Sequence, residues 1–113
     1  MKSKRQPQHR SLPPAKLDEM IEEATVDANG ESEQITGFFT LLEEQLKFPF
    51  KTKLLGMEVT AKQLDMTDDE QIVTVCSRGK SRQRIPILDL PLPDPPPEGW
   101  EWIEAFRRWA RGR

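Results

Sequence analysis

Leu17, Met20, Ile21 and Ala24 recur at three- and four-residue spacing, with Asp18, Glu19, Glu22 and Glu23 between them. This pattern predicts a first helix over 14–24 with one apolar and one acidic face, and Pro13-Pro14 suits its first turn. Thr25-Val26-Asp27 interrupts it. Asp27 is the candidate N-cap of a second helix, with Glu31 and Glu33 in the first turns, where the helix dipole favours negative charge. Ile35, Phe38, Phe39, Leu42 and Leu46 then follow at offsets of three, four, seven and eleven, an amphipathic stripe. Pro49 stops this helix, because the residue before a proline is pushed out of the helical region.

From Phe50 the period falls to two. Phe50, Thr52 and Leu54 alternate with Lys51 and Lys53 as in a half-buried strand, and Gly56 supplies a turn. Further strands are expected over 59–66, over 71–77, where β-branched residues concentrate, and over 83–87, with Gly79 at a hairpin tip between the last two. Pro91, Pro93, Pro95, Pro96 and Pro97 make a semi-rigid connector. Trp100, Ile103, Phe106 and Ala110 then form one helical stripe, acidic residues early and Arg107, Arg108 and Arg111 late, in the order the dipole favours. Trp102 and Trp109 flank that stripe, so this helix either docks on its own domain or is exchanged in a dimer. The expected fold class is α+β: two N-terminal helices on a small, strongly bent antiparallel sheet resembling an SH3-like barrel, plus the C-terminal helix.

The 113 residues allow one modest core, and the division expected is a basic tail over 1–12, an α+β domain over 13–92, and the connector with its helix over 93–113. The formal net charge of -2 conceals segregation: residues 1–16 carry five Lys or Arg and no acid, and residues 17–46 carry nine Asp or Glu and no base. Such asymmetry bears on ions and partners rather than fold. One cysteine, Cys76, rules out an intramolecular disulfide and a cysteine-built metal site, and reads as a small packing residue in a reducing compartment. No apolar run suggests a signal peptide or membrane span, so a cytoplasmic monomer or dimer is expected. The one histidine, His9, falls in the tail, leaving no histidine-based triad for the fold, and no enzyme activity is expected.

Two carboxylate clusters could supply the oxygen ligands that a hard cation requires. The first is Asp27, Glu31 and Glu33 at the second helix entry, near Asn29; the second is Asp65, Asp68, Asp69 and Glu70 between the second and third strands. Neither has EF-hand spacing. As residues alone they read equally as a helix cap, dipole-answering acids and a solvated turn.

The stretch Val26-Asp27-Ala28, then Gly30-Glu31-Ser32-Glu33, then Gly37-Phe38-Phe39 and Leu42-Glu43-Glu44, closing on Phe48-Pro49-Phe50, is similar to the non-EF-hand calcium-binding protein family first recognised in cyanobacteria. The resemblance spans about 20–92, more specific in its first half, with Ile85-Pro86-Ile87-Leu88 similar to the family's final strand. It implies binding of Ca2+, as a buffer or sensor in bacterial signalling, with Asp68, Asp69 and Glu70 matching the family's acidic turn and Asp27, Glu31 and Glu33 its acidic helix entry. The turn here is shorter than the family's, since Gln71 follows Glu70 where members often add Glu and His. The rival expectation is an interaction module using Arg78, Lys80, Arg82 and Arg84 of the hairpin against an acidic protein or, less well matched to the acidic chain, a nucleic acid.

Overall fold

A computed structural model describes residues 12–112, so His9 and the expected basic tail, except for Leu12, lie outside the described residues. Helix α1 spans Pro14–Thr25 and α2 spans Glu31–Gln45. Strands β1 (Phe50–Leu54), β2 (Met57–Met66), β3 (Ile72–Arg78) and β4 (Ser81–Pro86) follow, then a 3-10 turn at Ile87–Asp89 and helix α3 over Trp100–Arg111. No helix among the described residues is long and apolar enough to cross a membrane.

Asp27 does not cap α2. It sits between the helices at a φ of 62°, and Gly30 occupies the N-cap with a φ of 96° and no capping side chain. Glu33 instead fastens the chain entering the helix, its Oε1 accepting the Asn29 N–H at 2.8 Å. A side chain at Gly30 would be strained by that φ, so the helix begins at a glycine rather than at the acid three residues earlier.

The four strands form an antiparallel meander in the order β1-β2-β3-β4. The sheet is open, with β1 and β4 at its edges, and the SH3-like closure expected from the short strands is not adopted. β4 ends at Pro86, which has no N–H to extend a ladder, and the chain passes at once into the 3-10 turn. For the same reason the final strand expected over 83–87 stops one residue early. A register irregularity between Ala61 and Gln63 bends β2 and keeps Val59, Ala61 and Leu64 on one face despite their uneven spacing.

That face is the apolar one. Val59, Ala61, Leu64, Ile72 and Cys76 join Leu17, Met20, Ile35, Phe38 and Leu42 of the helices in a single buried cluster. Ile103, Ala105 and Phe106 belong to the same cluster, so α3 docks on its own chain. Its rings complete an aromatic group: Phe38 lies 5.2 Å from Phe106 and 5.4 Å from Trp109, centroid to centroid. Trp109 Nε1 donates to Gln34 Oε1 at 3.0 Å, which satisfies the indole on the partly buried side of α2.

Two glycines let these helices meet. A Cβ at Gly37 would run into the Ala24 carbonyl oxygen, so α1 and α2 approach closely only because α2 has no side chain there. Gly99, at a φ of 90°, lies equally close to the Gln45 carbonyl, beside a hydrogen bond from Lys47 N–H to Glu98 O of 2.9 Å. The connector between β4 and α3 is pinned at three carbonyls. Arg107 donates to Ile87 O at 2.9 Å and Leu90 O at 2.5 Å, and Thr52 Oγ1 donates to Pro91 O at 2.6 Å. Burial draws the Arg107 guanidinium down from its usual pKa, and Glu104, 3.8 Å away, works against that shift. Arg107 therefore does more than answer the α3 dipole, since it holds the chain's return path.

Replacing Gly37 with Ala should destabilise the protein by about 1–3 kcal/mol through overpacking against the α1 backbone, read as a lower urea midpoint with an unchanged m-value. Cys76 is only 2% exposed and desolvation pushes its thiol pKa up, so it is a buried packing residue with little thiolate. Its reaction with a thiol reagent should be slow in native buffer and rapid in denaturing urea; rapid native labelling would contradict its placement.

Candidate metal centre

The turn between β2 and β3 is organised by Thr67. Its N–H donates to Gln71 O at 2.9 Å, its carbonyl accepts Glu70 N–H at 3.0 Å, and its hydroxyl accepts Gln71 N–H at 2.9 Å. The same hydroxyl donates to Asp69 Oδ1 at 2.5 Å. These bonds close the loop so tightly that Glu70 takes a φ of 65°, and its side chain turns toward α2. There Ser32 Oγ donates to Glu70 Oε2 at 2.5 Å, joining residues 38 apart in sequence.

The first turn of α2 and the β2–β3 turn thus share one site. A cavity of about 260 Å³ is lined by Glu31, Asp69 and Glu70 together with apolar Ile35, Ile72 and Phe106. One acid from the first sequence cluster and two from the second therefore meet above an apolar floor. The remaining candidates are placed elsewhere. Asp27 stays in the α1–α2 turn and Glu33 bonds to Asn29. Asp68 is exposed in the turn beside Asp69 and does not line the cavity. Asp65 lies within β2, where it pairs with Arg84 and accepts the Met66 N–H at 2.8 Å. The basic hairpin is built as expected around Gly79, at a φ of 60°, with Arg78, Lys80 and Arg82 exposed and Arg84 joined to Asp65.

The acids at the cavity are hard-oxygen donors, the carboxylates of Glu31, Asp69 and Glu70, with the Ser32 hydroxyl bonded to Glu70 beside them. This chemistry suits Ca2+, which takes six to eight oxygens in adaptable geometry. The carboxylates do not form a closed cage, because among the described residues no three Asp, Glu, His or Cys side chains stand close enough together to hold an ion. Ser32 and Thr67 were not legible as site residues in the sequence. Their only signal was position, a hydroxyl inside each acidic run.

Another charged contact lies between α1 and α3, where Arg108 Nε donates to Asp18 Oδ1 at 2.8 Å. That hydrogen bond draws the Asp18 carboxyl below its usual pKa, and both groups remain solvent-exposed. It braces two helices and contributes no ligand to the cavity.

Fold and site together define a small α+β protein with a carboxylate-lined junction between a helix start and a hairpin turn. Residues 18–110 match the CcbP family (Calci_bind_CcbP), described as calcium binding, and the chain belongs to that family. No curated protein and no solved structure matches the chain.

Proposed function

We propose that the chain binds Ca2+ through Glu31, Asp69 and Glu70, with turn carbonyls and water completing the coordination, and that its role is binding rather than catalysis. The observation that carries this reading is the convergence of the two acidic clusters, far apart in sequence, on one cavity. Family membership supplies the identity of the ion. A bound Ca2+ would neutralise carboxylates that otherwise repel one another across the α2–turn junction.

Of the two roles, the cavity floor favours sensor over buffer. Phe106 of α3 lines the cavity and stacks on Trp109 at 5.7 Å, so an ion bound at the rim would lie against a helix able to respond to it. A buffer would need no such connection.

Isothermal titration with CaCl2 should show saturable heat, and Asp69→Asn or Glu70→Gln should weaken binding by about tenfold, equivalent to roughly 1.4 kcal/mol. Asp65→Asn should leave affinity near that of the parent, because Asp65 is committed to Arg84. Calcium should also change tryptophan emission if the sensor reading holds. Absence of heat, or equal weakening by Asp65→Asn, would sink the assignment.

A further inference from the structure

The sheet face turned away from the helical core is ordered by strand register into rows. Lys51, Thr60, Ser77 and Arg82 are successive cross-strand partners, so one row crosses all four strands. It spans three interstrand gaps, about 14 Å. Gln63, Val75 and Arg84 form the next row, and Asp65, Val73 and Pro86 the one after.

The charges on this face have mainly one sign. Lys51, Lys53, Arg82 and Arg84 project there, Lys62 stands at the register irregularity, and the acids of these rows are Glu58 and Asp65. Glu58 lies opposite Lys53, and Asp65 is already paired with Arg84. Lys51, Lys62 and Arg82 make no ion pair among the described residues. Protection of exposed edges accounts for charge on β1 and β4. It does not account for the shared sign, or for the two hydroxyls of Thr60 and Ser77 on the central strands, bracketed by a lysine and an arginine. Beside them is a depression of about 440 Å³ lined by Gln63, Val75, Arg82, Gln83 and the Asp65–Arg84 pair.

We propose that this face docks an acidic protein segment, whose carboxylates engage Arg82 and Lys51 and accept hydrogen bonds from Thr60, Ser77 and the Gln63 amide. The reading stands apart from the calcium assignment, since it uses the opposite face of the sheet. A protein segment fits better than a nucleic acid for two reasons. The rows carry no aromatic ring on which a base could stack. A long polyanion running along the strands would also meet the carboxylate of Asp65 and, at the β2–β3 turn beyond it, that of exposed Asp68. A short acidic segment crossing the strands avoids that end.

The test is fluorescence anisotropy with a labelled peptide of about ten alternating Asp and Glu residues, long enough to cross the sheet. Binding should appear at about 20 mM salt and weaken at least tenfold by about 150 mM. The Lys51→Ala, Arg82→Ala double variant should weaken it about tenfold, and Arg111→Ala, at the end of α3, should not. Circular dichroism checks the fold, and Lys51→Gln with Arg82→Gln replaces the alanine pair if that pair is unfolded. No anisotropy change at low salt, equal weakening by Arg111→Ala, or tighter binding of a short duplex DNA than of the peptide would overturn the proposal.

Discussion

Burial of the α2 stripe is the constraint on which the other elements depend. Phe38 and Leu42 are fully enclosed, in a cluster shared with the apolar sheet face, α1 and α3. Truncating a large side chain in such a place costs about 2–5 kcal/mol, a large part of the stability of a small domain. With those residues fixed, the helix cannot rotate about its axis, and the direction in which its first turn points is settled as well. Glu31 and Ser32 are carried to the β2–β3 turn by packing two and three helical turns away. The acidic site is thus a consequence of how the core is filled.

The elements governed by periodicity were legible. The three-four spacing of Leu17 to Ala24 and of Ile35 to Leu46 gave both N-terminal helices, and the alternation of Phe50, Thr52 and Leu54 gave β1, with Thr52 facing inward as the pattern required. Gly79 marked the β3–β4 tip correctly. Features set by tertiary geometry were not legible. Asp27 looks like an N-cap by residue type, yet the helix starts after Gly30, where the backbone adopts a conformation that an acid would resist. Barrel closure could not be judged from strand lengths, because it depends on how the chain leaves β4 at Pro86. Arg107 read as a dipole-answering surface residue, and its bonds to Ile87 and Leu90 carbonyls emerge only once α3 is docked.

The site was half legible. Its acids were visible as two runs, and resemblance to a calcium-binding family connected them with one ion. Sequence could not sort Asp69 and Glu70, which line the cavity, from Asp65, which strand alternation turns to the opposite face and to Arg84. The facing is fixed only by the register after the Ala61–Gln63 irregularity, which packs Met66 on the core and turns Asp65 away. Charge is consequently separated across the sheet, with carboxylates at the helix–turn junction and bases along the other face. One molecule with a net charge of -2 therefore offers two surfaces of opposite sign.

The proposed Ca2+ site lies between the first turn of α2 and the β2–β3 turn. The most direct measurement is a titration of the 15N-labelled protein with CaCl2 followed by amide chemical shifts. The largest shifts should fall on residues 31–35 and 67–72, with smaller ones along α3 near Phe106 and Trp109. Shifts concentrated instead on the α1 acids or the 78–84 hairpin, or no saturable shifts at all, would contradict it.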